Sequence, residues 1–196
     1  MDSIRNATEG KQSNAGAQND LREADKLPLL ELLAEDFETH DRSLLEPGFW
    51  AVAVHRLGSR LCNTRLPVLR GTVETTHNIL STAVDWIWGI KLPRTTRLGR
   101  RVRIWHCGAI VLNAQSIGND VHIRQNTTFG SLRTADASRV ECLPVIEDGV
   151  ELGSGACVLG GICLGRGAFV GANSVVLKTV PPGVTVFGVP ARIIPT

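Results

Sequence analysis

The residue best suited to acid–base chemistry is His106, which stands between Trp105 and Cys107 in the apolar stretch IWHCGAIVLN, residues 104–113. A neutral imidazole can take a proton from a hydroxyl near neutral pH, because its ordinary pKa is about 6.5. The neighbouring Cys107 offers a thiol as a nucleophile. The same histidine can instead lie buried as a structural residue. The position of this stretch in the fold decides between these roles.

The other four histidines offer weaker chemistry. His122 comes one residue before the apolar Ile123, so it either faces the same groove as His106 or has a structural role. His40, His55 and His77 fall on or near predicted helices, with no spacing that converges on a metal ion. The five cysteines include no CxxC pair, which argues against a zinc site and against a disulfide framework. We therefore predict no bound metal.

The composition excludes several classes of partner. A net charge of +2 over 196 residues gives no reason to expect nucleic acid or a membrane surface. The most apolar stretch, ILSTAVDWIWGI at residues 79–90, is too short to span a bilayer and contains Asp85. We predict a cytoplasmic protein without membrane insertion.

The first half of the chain reads as helical. Residues 1–20 are polar and lack the large apolar side chains that repay ordering, which predicts a disordered tail. Apolar residues at helical spacing then recur through residues 21–93, with Pro28 suited to a first helical turn and the pair Pro47–Gly48 before a second helix. We predict a helical N-terminal domain over residues 21–93.

From residue 94 a different period appears. A large apolar residue recurs about every six positions, and glycine often follows it. A period of six fits neither a helix nor a single strand, and it is typical of a parallel β-helix whose short strands turn a corner at each repeat. The residues predicted to point inward are Leu98, Ile104, Ile110, Ile117, Ile123, Phe129, Ile146, Leu152, Val158, Leu164, Val170 and Val176. This places His106 on the strand between Ile104 and Ile110, with its side chain turned away from the core.

Two irregularities interrupt this β-helix, which we place at residues 94–180. One extra residue separates Ile110 from Ile117, and a polar insertion, SLRTADASRVECL, occupies residues 131–143. Loops inserted in a solenoid often carry binding or chemistry, although simple tolerance of an insertion explains them equally. Pro181 and Pro182 then end the repeat, leaving a C-terminal tail at residues 181–196.

Four motifs give the sequence a resemblance to the serine O-acetyltransferase family of hexapeptide-repeat acyltransferases. They are PGFWAVAVHRLG (47–58), GIKLPRTTRLGRRVRIWHCGAIVLN (89–113), IGNDVHIRQNTTFG (117–130) and VGANSVVLKTVPPGVTVFGVPARII (170–194). The resemblance implies an α+β fold, in which a helical N-terminal segment precedes a left-handed parallel β-helix. It also implies a homotrimer with active sites between neighbouring β-helices, or a dimer of trimers joined through the helices.

The resemblance further implies acetyl transfer from acetyl-CoA, as co-substrate, to a hydroxyl of a small-molecule acceptor. His106 falls on the family's catalytic histidine, which makes it the general base. On the acceptor side we assign Asp41, Trp105 and Gln125. The residues that match the family's acetyl-CoA contacts, or that could meet its phosphates, are Gly130, Ser131, Ser154, Ala172, Lys178 and Arg192.

Departures from the family pattern bear on the acceptor. The family carries acidic residues where this chain has Lys91 and Trp105, and an Arg-His pair where it has Cys142 and Leu143. A carboxylate acceptor thereby loses an obvious cation. We therefore expect a saccharide or another non-serine hydroxyl as the acceptor, with L-serine as the alternative. Amine acetylation, or a non-catalytic trimeric β-helix scaffold, would also accommodate the loss of both acids.

Positive charge concentrates at the start of the predicted β-helix. The residues are Arg94, Arg97, Arg100, Arg101 and Arg103. They form either an ordinary solvated face or a surface suited to an anionic acceptor such as a nucleotide sugar.

Overall fold

Among the residues that the structure describes, three helices precede the β-structure. The computed structural model describes residues 26–61, 67–136 and 139–194, so the predicted disordered tail at 1–20 lies outside the described residues. The helices are α1 (Leu29–Thr39), α2 (Pro47–Leu61) and α3 (Pro67–Trp88). Proline stands at the cap of α1 and at the first position of α2 and α3, where its missing N–H and fixed φ suit a helix start.

Helix α2 packs closely on the β-structure. Gly48 in its first turn lies so near to strand β3 (Arg103–Ile104) that a Cβ atom would collide with the carbonyl oxygen of Ile104. The same Cβ would lie 2.9 Å from Nε2 of His40. Glycine here permits the helix to contact the strand that leads into the His106 turn.

Fifteen short strands form the β-structure in the described residues. They make three sheets, and successive strands along the chain belong to sheets 1, 2 and 3 in turn up to β13. Sheet 1 contains β1, β4, β7, β10 and β13, sheet 2 contains β2, β5, β8 and β11, and sheet 3 contains β3, β6, β9, β12, β14 and β15. All pairs are parallel except β14 with β15. The strand bounds are β1 Ile90–Lys91, β2 Arg97–Leu98, β3 Arg103–Ile104, β4 Ile110–Leu112, β5 Ser116–Ile117, β6 His122–Ile123, β7 Thr128–Gly130, β8 Val145–Ile146, β9 Glu151–Leu152, β10 Cys157–Leu159, β11 Cys163–Leu164, β12 Phe169–Val170, β13 Val175–Val176, β14 Thr185–Gly188 and β15 Ala191–Ile193.

The core is a set of stacked aliphatic columns. In sheet 3 the register places Ile104 on Ile123, Ile123 on Leu152 and Leu152 on Val170, and each of these side chains is at most 1% exposed. Burial of each such side chain contributes about 1.5–3 kcal/mol. The predicted architecture, helices followed by a parallel β-helix with inward residues at sixfold spacing, is confirmed.

The β-helix extends beyond the range assigned to it from sequence at both ends. It starts at Ile90, whose pairing with Ile110 places β1 in sheet 1, rather than at residue 94. At the other end, β14 pairs with β12 and β15 folds back on β14, so much of the range 181–196 continues sheet 3. The insertion at 131–143 contains two short 3₁₀ helices, Thr134–Asp136 and Val140–Cys142, with residues 137–138 outside the described chain.

The repeat is irregular in a different place from the one predicted. Phe129 pairs with Leu112, so Leu112 and not Ile110 is its counterpart one coil earlier. Eight residues separate Ile104 from Leu112, whereas six separate Ile123 from Phe129. The turn between β3 and β4 is therefore two residues longer than a regular corner. Ile110 is also fully buried, which is why sequence alone did not distinguish it from Leu112.

A buried ion pair joins the helices to the first coil. Arg56 on α2 contacts both carboxylate oxygens of Asp36 on α1, at 2.9 and 3.2 Å, and both side chains are at most 5% exposed. The same guanidinium donates to the carbonyl oxygens of Leu98 and Gly99, at 3.0 and 2.6 Å. One charged group thus ties α1, α2 and strand β2 together.

His55, the residue before Arg56, is also buried and bonds to the first coil. One ring nitrogen, Nε2, lies 2.9 Å from the carbonyl oxygen of Thr96. Burial, together with the nearby Arg56 charge, lowers the pKa of His55 to about 4. In the unfolded chain His55 binds a proton near pH 6.5. The contribution of neutral, buried His55 to stability is therefore present above that pH and is lost as the pH falls towards 4.

We expect acid to destabilise the protein through His55. Between pH 7 and pH 5 the free energy of unfolding should fall by about 2 kcal/mol more in the wild type than in His55→Asn, because the unfolded wild-type chain protonates His55 over this range while the buried ring stays neutral. Urea unfolding at the two pH values, at fixed protein concentration, measures the difference. An equal fall for the two proteins would show that burial does not lower the pKa of His55.

Candidate active site

His106 lies in an exposed turn and not on a strand, which corrects the placement made from sequence. The turn covers residues 105–109 between β3 and β4, and His106 has a left-handed backbone with φ of 65°. Gly108 and Ala109 also have positive φ, at 103° and 49°. For a residue other than glycine this conformation costs about 1–3 kcal/mol and is often found at functional sites. The strained, longer turn presents the imidazole to solvent.

Backbone hydrogen bonds hold this turn. The N–H of Gly108 donates to the carbonyl of Trp88 at 2.8 Å, and its carbonyl accepts from the N–H of Asn126 at 3.0 Å. The next strand is fixed by a 2.8 Å bond from the N–H of Ile110 to the carbonyl of Gly89. Among the described residues, no carboxylate hydrogen-bonds the His106 ring. The backbone therefore sets the position of His106 within this chain.

A second histidine fixes the strand just before the turn. His40 is fully buried, and its Nδ1 donates to the carbonyl oxygen of Asp36 at 2.7 Å. Its Nε2 then accepts the N–H of Ile104 at 3.3 Å, which requires a neutral ring. Burial lowers the pKa of His40 and favours that neutral form. His40 has a structural role that connects α1 to the strand leading to His106.

The residue after His40 begins a chain of polar contacts towards the turn. The carboxylate of Asp41 pairs with the guanidinium of Arg103, which holds the pKa of Asp41 below its ordinary value. Arg103 also lies over the Trp105 ring, 3.7 Å from the ring centroid. Trp105 donates its indole N–H to Nδ1 of His122 at 3.1 Å. The structure therefore brings two predicted acceptor-side residues, Asp41 and Trp105, to one surface beside His106.

Three other predicted residues lie on the corner that carries His106, between sheets 3 and 1. Gln125, Ser154 and Ala172 follow β6, β9 and β12 as His106 follows β3, one coil apart. Backbone bonds connect these turns, since Gly155 donates to the carbonyl of Gln125 at 2.9 Å and Asn173 to that of Ser154 at 2.8 Å. The side-chain Oε1 of Gln125 is buried with no hydrogen-bond partner among the described residues.

The remaining predicted residues lie elsewhere. Gly130 is the last residue of β7, Ser131 comes next, and Lys178 lies two residues after β13, so all three belong to the opposite edge of sheet 1, where its strands end. Ser131 bonds within the inserted loop, to the carbonyl of Arg133 at 2.9 Å, and Arg192 lies on β15 at the end of sheet 3. The predicted acetyl-CoA contacts therefore lie along both edges of sheet 1, with Arg192 apart.

The outer face of sheet 1 between these edges carries a row of half-buried side chains that stack in register: Val111, Thr128, Cys157 and Val175. The exposed Lys91 on β1 heads this row, and the outward Leu159 on β10 lies beside it. Burial raises the pKa of the Cys157 thiol, so that it stays protonated and is not a nucleophile at neutral pH.

The roles of Arg103 and His40 were not predicted from the sequence, and the role of His122 was left open. Arg103 and His122 both come one residue before an inward isoleucine, and they are register partners on adjacent strands. Their equal position in the repeat could therefore have predicted that Arg103 and His122 lie side by side. His40 had none, because its partner Ile104 lies 64 residues away in the chain.

Most of the arginine cluster is paired with acidic residues. Arg100 pairs with Glu35, Arg101 with Asp120 at 2.6 Å and Arg103 with Asp41, while Arg94 lies 3.6 Å from Glu74. These pairs reduce the free positive charge that an anionic acceptor would need. The paired geometry agrees with a solvated face.

Among the positions that depart from the family pattern, Leu143 has a structural role. Leu143 is 5% exposed, and its carbonyl accepts the side-chain amide of Gln115 at 2.8 Å. Cys142 is half-buried, and Lys91 is exposed on β1. None of the three supplies a carboxylate to His106.

Across residues 26–61, 67–136 and 139–194, no three histidine, cysteine or acidic side chains are grouped to hold a metal ion. Within the same residues, no helix has both the length and the apolar character that crossing a bilayer requires.

Comparison with known proteins identifies relatives for both the sequence and the fold. The chain is 36% identical over 148 residues to the serine acetyltransferase of Escherichia coli strain K12, which covers 75% of this chain and 50% of that protein. The crystal structure of serine acetyltransferase from Neisseria gonorrhoeae superposes with a TM-score of 0.71 at 29% identity, covering 85% of this chain and 66% of that one. The Brucella abortus serine acetyltransferase in complex with coenzyme A superposes with a TM-score of 0.69 at 30% identity, covering 84% and 66%. No protein-family model matches the chain.

The relatives are longer than this chain, which spans about half the length of the curated relatives that it matches first. The shared part contains the β-helix, and the fold is the left-handed β-helix of those structures. The expected resemblance in sequence and fold is confirmed.

Proposed function

Because this chain belongs by sequence and fold among the serine O-acetyltransferase-like hexapeptide-repeat proteins, we propose that it is an acetyl-CoA-dependent O-acetyltransferase with His106 as its general base. The observation that carries the proposal is the turn at 105–109, which is two residues longer than a regular corner and exposes an imidazole on strained backbone. A turn of that kind has no evident use in building the core.

His106 supplies the proton transfer in this reaction. An alcohol with a pKa near 16 is a poor nucleophile, so the imidazole takes the hydroxyl proton as the acceptor oxygen bonds to the acetyl carbonyl carbon. The carbon–sulfur bond breaks, and the proton passes from His106 to the departing thiolate. The backbone bonds at Gly108 and Ile110 hold the base in place during this transfer. Because no step needs a covalent acyl-enzyme, Cys107 has no assigned role.

Acetyl-CoA supplies the activated acetyl group. An extended pantetheine chain would lie along the outward row Val111, Thr128, Cys157 and Val175, because these short side chains project little from the sheet. Ser154 and Ala172 would contact the chain on the His106 side, and Gly130 and Ser131 on the opposite edge. Lys178 is exposed beside that opposite edge and would meet phosphate groups, with Arg192 a further cation.

L-serine is the acceptor that the comparisons favour. The relatives are named serine acetyltransferases, so they do not support our expectation of a saccharide or other non-serine hydroxyl. The Asp41–Arg103 pair suits serine, because a carboxylate beside a guanidinium offers both charges to a zwitterion. Asp41 is exposed, so its carboxylate is open to the acceptor's ammonium.

The proposed assembly is a homotrimer, with two trimers joined through the helices as the larger form. In the last turn of helix α3, Trp86 and Ile87 are 84% and 67% exposed. Large exposed apolar groups of this kind are often covered in an assembly.

The amino-acid composition is our reason for proposing a cytoplasmic location.

Thiol release from acetyl-CoA tests the proposed function. We expect release to depend on L-serine, with mass spectrometry showing serine that gains one acetyl group, and glucose as acceptor should give at least tenfold lower kcat/KM. Glucose acetylated as fast as serine would contradict the acceptor assignment. Binding of coenzyme A with no release for any acceptor would favour the non-catalytic scaffold.

A further inference from the structure

Trp105 and His122 form a bonded pair that the proposed mechanism does not use. The indole N–H lies 3.1 Å from Nδ1 of His122, and the two rings stack with centroids 6.1 Å apart and planes at 26°. The guanidinium of Arg103, the register partner of His122, lies 3.7 Å from the centroid of the Trp105 ring. Three side chains from two adjacent coils thus form one stack.

The hydrogen bond fixes the tautomer of His122. An indole N–H can only donate, so Nδ1 must be the unprotonated acceptor nitrogen. In a neutral imidazole the proton then lies on Nε2. Among the described residues, no hydrogen bond is formed by Nε2 of His122, and the side chain is only half-buried. The pair therefore presents one oriented N–H donor without a partner in the described chain.

This donor lies in the region of the acceptor. Trp105 directly precedes His106 in the exposed turn, and His122 is on the next coil, beneath Arg103. Arg103 in turn holds Asp41. Positive charge, negative charge and a neutral N–H donor therefore occur together beside the proposed base.

We propose that His122 is a specificity-determining residue, whose Nε2–H donates to the carboxylate of an amino-acid acceptor, and that Trp105 is the positioning residue that holds it. The inference rests on the proposed function. A carboxylate is the favoured partner because hydrogen bonds to ionised oxygens are about twice as strong as neutral ones. In the proposed complex, Arg103 adds positive charge on the same side, and Asp41 faces the ammonium.

Steady-state kinetics with two acceptors tests the role of His122. We expect His122→Phe, which keeps an aromatic ring in the stack but removes the donor, to raise KM for L-serine about tenfold with little change in kcat. His122→Gln places an amide N–H near the position of Nε2 and should restore most of the affinity. With ethanolamine, which has the hydroxyl and ammonium but no carboxylate, His122→Phe should have no effect on KM.

Trp105→Phe is the matched test of the positioning role. It keeps the stacked ring but lacks the indole N–H, so we expect KM for L-serine to rise about threefold to tenfold. Trp50→Phe, which removes an indole N–H bond to the carbonyl of Leu44 outside this stack, is the control and should leave both constants unchanged. An unchanged KM for serine in His122→Phe would overturn the proposal, and so would an equal rise for serine and ethanolamine.

Tryptophan fluorescence at one pH tests the pair without acetyl transfer. Because Trp105 is the indole that bonds to His122, His122→Phe should change the emission spectrum of the wild type but leave that of Trp105→Phe unchanged. If the wild type acetylates no acceptor, the proposed function fails and the assignment of an acceptor to His122 fails with it, but this comparison still reports the pair. The same spectral change in both backgrounds would overturn the pair itself.

Discussion

Replacing His106 with alanine lowers kcat for acetyl transfer by about 10²–10⁴-fold, while coenzyme A affinity stays within about twofold of the wild type. The loss is this large because no other group at the turn can take the hydroxyl proton as it attacks. Acceptor-dependent thiol release gives kcat, and equilibrium binding of coenzyme A shows that the co-substrate site is intact.

Two matched variants make this result specific. Cys107→Ala removes the neighbouring exposed thiol and should retain full activity, since the proposed transfer is direct. His106→Gly removes the imidazole and also relaxes the left-handed backbone, so it should be as inactive as the alanine variant yet at least as stable as the wild type. Substantial activity in His106→Ala, or its loss in Cys107→Ala, would contradict the base assignment.

Removing one partner of the buried Asp36–Arg56 pair should have the largest effect on stability. We expect Asp36→Ala to lower the free energy of unfolding by about 3–5 kcal/mol, because it leaves the Arg56 guanidinium buried without its counter-ion. The backbone carbonyl of Asp36 also accepts the Nδ1–H of His40, so a shift of α1 should lower catalysis together with stability. Urea unfolding followed by circular dichroism, at fixed protein concentration, measures the change.

The control for this prediction is on the same helix. Glu38 pairs with Arg42, but their side chains are 62% and 71% exposed, so Glu38→Ala should change stability by less than about 0.5 kcal/mol. Replacing both buried partners, as Asp36→Leu with Arg56→Met, should recover only part of the loss, because no unpaired charge then remains but the carbonyls of Leu98 and Gly99 lose their donor. If Asp36→Ala and Glu38→Ala cost the same, the buried pair is not what holds the helices to the first coil.

The repeat made much of the fold predictable. A sixfold apolar period is a local property of the chain, and it identified the columns that include Ile104, Ile123 and Leu152. It did not identify the longer corner, because Ile110 and Leu112 are both apolar and both buried. Only strand pairing shows that Leu112 belongs to the column of Phe129. Because the longer corner was not recognised, His106 was predicted on a strand, whereas it lies in the turn between β3 and β4.

The candidate site was predictable in part. His106 was found from its residue type and from the resemblance of its motif, and its role stays a prediction. Asp41, Trp105 and Gln125 were also assigned from sequence, but their relation to one another was not, since Asp41 meets Arg103 across 62 positions. Gly130, Ser131 and Lys178 lie on the edge of sheet 1 opposite to His106. Each coil has three corners, and spacing in the sequence does not show which corners contact the same ligand.

The sequence by itself determined the helical first part, the coiled β-structure and the identity of the candidate base, because each depends on residue type and short-range period. The tertiary structure alone decided how the base is presented and what surrounds it. The left-handed turn depends on bonds from Trp88 and Asn126, and the Trp105–His122 pair depends on two coils lying in register. Such contacts join residues that are distant in the chain, so no local pattern encodes them.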